Sequence, residues 1–449
     1  MGQSLFAEIV TRRHEGEAET VRRLTRCRKA ARRLSEDLVE NRALITRVFL
    51  PFVVGYYLSY LFRTINALIA APLASELGLG ADDLGLLTSV YFLTFAAAQI
   101  PIGILLDRYG PRRVQSALLV VAAFGAALFA SSDNFLALIA GRALIGLGVA
   151  AALTAGLKAL VLWFPRDRLP FLNGLMVMLG ALGAVTATSP AELLLAWIGW
   201  RKLFDLFAAV TGGCALMIYL LVPEIGPASP ITTRAVVASL GKIYADPRFW
   251  RLAPLSATSI GTAWSLQGLW AAQWLTDVEG LGRAALVQYL FMMAVALSLG
   301  ALLLGVLADQ LGRRGVGPEA LLGIVAVVFM TAQLALILRW PVPSYVLWAI
   351  VAAVGAATVL SYAILAEHFP REFAGRANAA LNVFHIGGAF VLQYATGAVL
   401  AHWTPQAGHY PEIAYQTAFV LNLAPQVVAW VWFALPRRFL RPSTVCPAN

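Results

Sequence analysis

Twelve apolar stretches separated by short polar segments dominate this sequence and limit what it can fold into. Each stretch has roughly the 20 residues that a helix needs to cross the hydrocarbon core of a bilayer. Lipid cannot hydrogen-bond free backbone groups, so a spanning stretch must be helical. The sequence therefore predicts an all-α membrane protein with spans 1 to 12 near 47–76, 83–106, 114–131, 135–164, 170–196, 203–222, 252–276, 284–308, 318–339, 343–367, 375–402 and 414–435.

The composition agrees with a membrane location and excludes a soluble globule. Of the 449 residues, 59% are hydrophobic and 13% are charged, whereas soluble proteins have about 45–50% and about 25%. The formal net charge is +10, but the basic residues lie in the N-terminal segment and in short loops. We therefore expect the lipid bilayer as a partner and no nucleic acid. The three cysteines have no metal-site or disulfide spacing, so we expect no metal and no cofactor.

The charges of the loops predict the orientation of the spans. The loops after spans 2, 4, 8 and 10 carry arginine pairs, whereas the opposite loops are richer in acidic residues. Cytoplasmic loops are enriched in Lys and Arg, so we expect both termini in the cytoplasm and the chain in a bacterial-type inner membrane. The predicted units are a basic cytoplasmic tail at 1–44, a first half at 45–222, a cytoplasmic central loop at 223–250, a second half at 251–436 and a cytoplasmic tail at 437–449.

The two halves repeat one another at the loop that follows the second span of each. The first copy is GILLDRYGPRR, from Gly103 to Arg113, and the second is GVLADQLGRR, from Gly305 to Arg314. Their starting glycines, at 103 and 305, are 202 residues apart, which is close to half the chain. Parallel six-span repeats occur in secondary transporters. The repeat therefore predicts two pseudo-symmetric six-helix bundles.

These loops resemble the signature loop of the major facilitator superfamily, and Arg142-x-x-x-Gly146-x-Gly148 in span 4 is similar to its R-x-x-x-G-x-G element. The resemblance covers residues 45–436. It implies the twelve-helix major facilitator fold, alternating access and no enzymatic activity. It also implies gating roles for Gly103, Asp107, Arg108, Gly110, Arg112, Arg142, Gly305, Asp309, Gly312 and Arg313.

Elementary chemistry gives the repeated loops a task. Gly103 and Gly305 have no side chain, which lets neighbouring helices approach closely. Asp107 and Asp309 lie at helix ends, where a carboxylate can pair with basic residues or face a helix N-terminus. Such contacts can hold one side of a transporter shut and break in the other state. The alternative for the loop arginines is that they serve only as topology anchors.

Span 1 carries a second, narrower resemblance. The stretch GYYLSYLFRTINAL, from Gly55 to Leu68, resembles the first helix of the organophosphate:phosphate antiporters and the related anion:cation symporters. In those antiporters an arginine at the position of Arg63 binds the substrate phosphate, which implies that Arg63 contacts an anion. An ionised side chain at mid-span costs at least about 2.5–3.5 kcal/mol, so it should face a wet cavity. The alternative is a structural arginine that pairs with a neighbouring helix.

Two departures from the antiporters narrow the expected substrate. Gln267 stands where they carry a second arginine in span 7, and span 5 lacks their histidine. One fixed positive charge suits a monoanion or a zwitterion better than a phosphate dianion. Lys158 in span 4 either adds an anion contact or extends to the lipid headgroups. The predicted substrate contacts are Arg63, Lys158, Gln267, Tyr60, Asn66 and Trp270.

The coupling ion is left open by the sequence. The middles of spans 1, 4, 7 and 10 contain no Asp or Glu, and proton-coupled carriers usually need an intramembrane carboxylate or histidine. His385 in span 11 is the candidate proton-coupling residue, and its alternative role is a polar contact between packed helices. Protons or a counter-anion are the expected coupling partners, and facilitated diffusion is the third possibility.

The sequence as a whole predicts a monomeric secondary active or facilitative transporter of a small solute. The favoured solute is an organic anion or a zwitterion. One alternative is an efflux carrier for a neutral or amphiphilic compound, and another is a transporter-like membrane sensor. Direct use of ATP is not expected, because no glycine loop with Lys and Ser/Thr is present to cradle phosphates.

Overall fold

Helices make up the first half of the chain in the computed structural model, which describes residues 44–165, 168–224, 233–369, 371–406 and 408–435. The predicted tails 1–44 and 437–449 lie outside the described residues apart from residue 44, and so does 225–232 of the central loop. A π-helical turn, Ile45–Phe49, precedes α1 (Leu50–Thr64), α2 (Asn66–Leu77), α3 (Ala81–Ala130), α4 (Phe135–Val149), α5 (Ala152–Trp163), α6 (Leu169–Thr186) and α7 (Ser189–Leu221).

The second half is also helical. Its helices are α8 (Thr233–Tyr244), α9 (Pro247–Ser265), α10 (Ala271–Asp277), α11 (Arg283–Gly312), α12 (Pro318–Ile337), α13 (Ser344–Val354), α14 (Thr358–His368), α15 (Arg371–Leu400) and α16 (Glu412–Ala434). A π-helical segment, Leu266–Trp270, joins α9 to α10, and a 3₁₀ turn, Gly355–Ala357, joins α13 to α14.

Within the described residues, nine helices are long and apolar enough to cross a membrane. One of them, α3, has 50 residues and contains predicted spans 2 and 3. Predicted span 5 is divided between α6, whose apolar stretch at Phe171–Thr186 is shorter, and the part of α7 that precedes Gly199. Predicted span 7 is divided by the π-helical segment and is rich in Ser, Thr and Gln, which lowers its hydropathy. Its polar side chains are buried against other helices and do not face lipid, so the low hydropathy is compatible with a membrane span.

Two glycines divide the longest helices. The backbone leaves helical geometry at Gly110 (φ 78°, ψ 164°) in α3 and at Gly199 (φ 72°, ψ 168°) in α7. A side chain at a positive φ is sterically disfavoured, whereas glycine adopts it readily. Gly110 therefore lets the chain turn between predicted spans 2 and 3.

Glycines also let α4 pack closely on α3. A Cβ at Gly146 would lie 2.4 Å from the carbonyl oxygen of Tyr91, and one at Gly148 would lie 2.4 Å from the amide nitrogen of Ala122. The two glycines of the Arg142-x-x-x-Gly146-x-Gly148 element therefore allow α4 to approach α3 closely. The same expectation for Gly103 and Gly305 is not met in this conformation, because a Cβ at either position would have no atom within 4 Å.

A buried polar network joins four helices of the second half. Gln426 of α16 exchanges side-chain hydrogen bonds of 3.0 and 3.1 Å with Gln333 of α12 and donates to Thr262 of α9 at 3.2 Å. Asn422, one turn away, donates to Thr396 of α15 at 2.8 Å. Buried amides that find partners in this way fix the rotation of the helices that carry them.

The two halves of the chain pack closely against each other at one end of the molecule. Here α3 packs against α15, and a Cβ at Gly85 would lie 3.2 Å from the Cα of Gly397. Arg283 of α11 also donates to Glu192 of α7 at 2.5 and 2.8 Å. We call this the Arg283 end and the opposite end the Asp107 end. Between described residues, every hydrogen bond and ion pair that joins the halves lies at the Arg283 end.

Candidate functional site

A break in the first span places the side chain of Arg63. Helix α1 ends at Thr64, Ile65 forms a turn, and α2 begins at Asn66. Arg63 thus lies in the last turn of α1, close to the middle of predicted span 1. Interrupted helices are common where transporters bind substrates near the bilayer midplane.

The guanidinium of Arg63 lies against two aromatic rings, one from each half. Its Cζ is 4.1 Å from the ring centroid of Tyr60 and 4.6 Å from that of Trp264. Among the described residues no carboxylate pairs with it, and its Nη2 is buried without a hydrogen-bond partner. A buried donor without a partner costs free energy, more so on a charged group. Within the described part of the chain, the charge of Arg63 therefore has no counter-ion.

Arg63 lines a central cavity to which both halves contribute. The cavity has a volume of about 660 Å³, counting the space open to solvent. The first half supplies Tyr56, Ser59, Tyr60, Arg63, Tyr91, Phe92, Phe95, Gln99, Ala150, Leu153 and Thr154, and the second supplies Trp264, Thr358, Tyr362, Asn382 and Ile386. Arg63 is the only Asp, Glu, Lys, Arg or His among these described lining residues, so they carry one net positive charge.

The cavity lies beside breaks in four predicted spans. The breaks are the turn after α1, residues 150–151 between α4 and α5, the π-helical segment and the 3₁₀ turn. Lining side chains hydrogen-bond to carbonyls at two of them. Gln99 donates to the carbonyl of Ala150 at 3.2 Å, and the indole of Trp264 donates to that of Gly355 at 3.2 Å. Backbone carbonyls at these two breaks therefore hold cavity side chains in position.

Arg142 and Asn66 lie behind Arg63 and do not line the cavity. Arg142 is 1% exposed and donates to the carbonyl of Phe62 at 3.1 Å and to the side-chain oxygen of Asn66. Asn66 in turn donates to the hydroxyl of Thr88. Asn66, a predicted substrate contact, is thus engaged in holding the helix break beside Arg63.

A separate cleft at the Asp107 end collects several charges. The ammonium of Lys158 lies 2.5 Å from a carboxylate oxygen of Asp107 and donates to the carbonyl of Leu106 at 2.8 Å. Arg112 lies 3.7 Å from Glu224 in the same cleft. The structure therefore does not bring Lys158 to the predicted substrate site, because its charge is paired with a predicted gating residue.

Comparison with known proteins identifies the architecture. Residues 52–392 match the profile of the Major Facilitator Superfamily. The chain belongs to this superfamily. The predicted family is confirmed, and it is a family of multi-pass membrane transporters of small molecules and not of enzymes.

Relatives of this transporter include carriers of anions. It is 25% identical over 274 residues to a probable sulfoacetate transporter of Cupriavidus necator, a match that covers 58% of this chain and 64% of that one, just under two thirds. It is 24% identical over 327 residues to a probable L-galactonate transporter of Escherichia coli, covering 67% and 71% of the two chains.

A solved structure shares the fold of this transporter. The crystal structure of a bacterial homolog of the human lysosomal transporter Spinster, in an inward-facing and unoccupied conformation, matches with a TM-score of 0.70. The two sequences are 19% identical, and the match covers 86% of this chain and 95% of that chain. At this identity the likeness shows the fold alone.

The second repeated loop of this transporter is arranged differently from the first. Asp309 accepts a hydrogen bond from Arg313, four residues later, at 2.8 Å, and these side chains are 65% and 78% exposed. In the first loop Arg108 lies over the ring of Tyr109. Gly312 ends α11, and a Cβ there would have no atom within 4 Å. The gating role of both loops stays a prediction.

Gln267 and Trp270 lie in the π-helical segment and do not line the cavity. Trp270 is 1% exposed, and its indole donates to the backbone carbonyl of Gln393 at 3.1 Å. Gln267 is 6% exposed, and its side-chain nitrogen has no partner. Of the six predicted substrate contacts, Tyr60 and Arg63 therefore lie in the cavity.

His385 is buried behind the cavity wall of this transporter. It is fully buried, and neither ring nitrogen has a hydrogen-bond partner. Its ring centroid lies 5.7 Å from that of Tyr362 and 6.4 Å from that of Trp264, two rings that line the cavity. Its role as a proton site stays a prediction.

Sequence analysis missed Trp264 and the ion pair of Arg283 with Glu192. Trp264 lies in the interior of predicted span 7, away from the interfaces where tryptophans concentrate, and this position was the available signal. For the ion pair, the signal was an acidic residue near the end of predicted span 5 and a basic residue in the loop after predicted span 7, which lie on the same side. Neither signal specifies which side chains meet.

Proposed function

We propose that this transporter carries a small organic anion or zwitterion across a bacterial inner membrane by alternating access, with Arg63 as the charge contact. The observation that carries the proposal is a guanidinium that has no counter-ion among the described residues and that lies in a cavity lined by both halves. An ionised side chain at mid-membrane is expensive and is kept where it serves a function. The named substrates of two relatives, sulfoacetate and L-galactonate, support an anion.

The proposed architecture has twelve spans in two six-helix bundles that rock about the cavity. The kinked helices α3 and α7 and the interrupted spans agree with this number. Contacts between the halves at the Arg283 end support a state that is closed there and accessible from the Asp107 end. Contacts that form in one state and break in the other are what alternating access requires.

The proposed orientation places the Asp107 end and both termini in the cytoplasm. It follows from the arginine-rich loops at that end. Alkaline phosphatase and green fluorescent protein fusions at both termini test it, because each reporter is active on only one side of the membrane. Termini on opposite sides would contradict the proposed twelve spans.

The transporter is proposed to act as a monomer that couples to protons or exchanges a counter-anion. His385 is the proton candidate, because no Asp or Glu lines the described part of the cavity and His385 packs against two cavity rings. Counter-anion exchange needs no protonatable group and would use Arg63 for both anions.

Transport by Arg63 variants in proteoliposomes tests the proposal. The probes are sulfoacetate, galactonate and a panel of monocarboxylates, measured as counterflow. Hydrogen bonds to charged groups are worth about 1.5–3 kcal/mol, so Arg63→Gln should lower anion affinity by roughly 10- to 150-fold. Arg339→Gln is the matched control, because Arg339 is exposed and lies outside the cavity.

Three outcomes would change the assignment. Unaltered anion transport by Arg63→Gln would refute the role of the guanidinium. Equal transport of a neutral amphiphile by the wild type and by Arg63→Gln would favour an efflux carrier, which the aromatic lining of the cavity also suits. Binding of an anion without flux would favour a membrane sensor.

A further inference from the structure

We infer that the cavity selects a flat aromatic anion that carries a single negative charge, and that Trp264 is a residue that determines this selectivity. The inference rests on the proposed function, because it names the substrate class of the same cavity. Three observations carry it: the charge of the lining, the aromatic share of the lining, and the way in which the rings are fixed.

The charge of the lining limits the ligand to one negative charge. Arg63 supplies the only ionised group of the described lining. The neighbouring cations are engaged elsewhere, since Lys158 pairs with Asp107 and Arg142 donates to Phe62 and Asn66. A second negative charge on the ligand would lose its hydration, and no second cation of the described lining would compensate it. An uncompensated charge in a low-dielectric site is strongly disfavoured.

The share of aromatic residues in the lining favours a flat, unsaturated ligand. Seven of the sixteen lining residues are Phe, Tyr or Trp, whereas these types make up 11% of the chain. Aromatic rings prefer offset-stacked or edge-to-face contacts with other rings. An aliphatic ligand of the same volume would bury similar area without these oriented contacts.

The aromatic walls are fixed in place by hydrogen bonds. The hydroxyl of Tyr362 donates to the side-chain oxygen of Asn382 at 2.9 Å. The hydroxyl of Tyr91 donates to the carbonyl of Ser59 at 3.3 Å. Side chains held in this way keep the shape of the cavity when it is empty, which lowers the ordering cost of binding a flat ligand.

Trp264 connects the charge contact to the aromatic wall. Its ring lies 4.6 Å from the Cζ of Arg63, and its indole N–H is held by the carbonyl of Gly355. We therefore expect an aromatic carboxylate that binds the guanidinium to place its aromatic ring next to Trp264. Removing the indole should reduce the preference for aromatic anions more than it reduces binding of anions in general.

The test uses the purified full chain in lipid nanodiscs and three anions that differ in one property at a time. Benzoate is an aromatic monoanion, cyclohexanecarboxylate has the same charge without a flat ring, and phthalate is an aromatic dianion. Dissociation constants come from calorimetry or from ligand-dependent thermal stability. We expect benzoate to bind at least about tenfold more tightly than either of the others.

Variants separate selectivity from loss of the site. Trp264→Leu should bring benzoate and cyclohexanecarboxylate to within about threefold, whereas Trp264→Phe, which keeps a ring, should retain most of the preference. Arg63→Gln should lower binding of all three anions. Retained far-UV circular dichroism and monodisperse elution show that each variant is folded.

The possible failures are distinguishable. If cyclohexanecarboxylate or phthalate binds as tightly as benzoate or more tightly, and this binding depends on Arg63, the inferred preference for an aromatic monoanion is wrong. The proposed transport of anions is not affected by that result. An unchanged benzoate preference in Trp264→Leu overturns the role of Trp264. Binding of any of these anions that does not depend on Arg63 overturns both the inference and the proposed function.

Discussion

One ion pair joins the two halves at the Arg283 end and offers a direct test of how that end stays closed. Arg283 donates through Nε and Nη2 to the two carboxylate oxygens of Glu192 at 2.8 and 2.5 Å, and Nη2 also donates to the carbonyl of Leu68 at 3.0 Å. Glu192→Gln removes the charge and keeps the shape of the side chain. We expect this change to increase the population in which the Arg283 end is open.

The size of the effect follows from the geometry and exposure of the pair. The side chains of Arg283 and Glu192 are 37% and 23% exposed. Exposed ion pairs contribute about 0.2–1 kcal/mol, and hydrogen bonds to charged groups about 1.5–3 kcal/mol. For a bidentate, partly exposed pair we expect about 1–2 kcal/mol. Glu192→Gln should therefore shift the ratio of closed to open molecules by about 5- to 30-fold.

The opening can be measured as a distance between spin labels on the two halves. Ser131 follows α3, and Tyr345 lies in the first turn of α13; both are exposed at the Arg283 end. Double electron–electron resonance between labelled cysteines at these positions, with Cys27, Cys214 and Cys446 replaced by alanine, gives the distance distribution. We expect Glu192→Gln to transfer population from the shorter to the longer distance.

Two further variants make this test decisive. The charge swap Glu192→Arg with Arg283→Glu rebuilds the pair and should restore most of the short distance. Glu412→Gln weakens an ion pair with Arg339 at the same end but within the second half, so it should leave the distribution unchanged. If Glu192→Gln does not differ from Glu412→Gln, the pair does not hold the halves together.

Three further sets of variants test the packing, the charge cleft and the coupling. Gly146→Ala should lower stability by about 1–3 kcal/mol, because the new Cβ would overlap a backbone carbonyl of α3, whereas Gly103→Ala should leave thermal unfolding in detergent unchanged. Asp107→Asn and Lys158→Met should each reduce stability, and the double variant should be less affected than the sum, as a double-mutant cycle would show. His385→Gln should abolish stimulation of uptake by a proton gradient if protons are coupled, and unaltered stimulation would exclude His385 as the proton site.

The helices themselves were predictable from the sequence, but their interruptions were not. A run of apolar residues shows that a segment can cross a bilayer, because its length matches the hydrocarbon core. It does not show where the helix breaks. At the break between α4 and α5, the carbonyl of Ala150 accepts a hydrogen bond from Gln99 of α3. Such a partner is fixed only when two helices have packed.

The candidate site was predictable in part for a similar reason. A cation at mid-span, such as Arg63, is expensive in any fold, so its sequence position alone marks it. The same argument made Lys158 a predicted substrate contact. Lys158 instead lies outside the cavity, and its charge is paired with Asp107 of another helix. Trp264 has no charge to mark it, and its contact with Arg63 depends on how the two halves meet.

The contact between Arg63 and Trp264 suggests how an anion acts on the conformation as well as on the charge. Arg63 belongs to the first half and Trp264 to the second, and their cation–π contact exists only while the two halves hold these groups 4.6 Å apart. A ligand shifts a conformational equilibrium only through a difference in its contacts with the two states. An anion on Arg63 neutralises the charge that attracts the ring and so weakens the contact between the halves, whereas an aromatic ligand restores it by stacking on the ring. In the proposed transport cycle, the charge and the aromaticity of the ligand therefore act on the same contact between the halves in opposite directions, so we expect two anions of equal affinity to be carried at different rates.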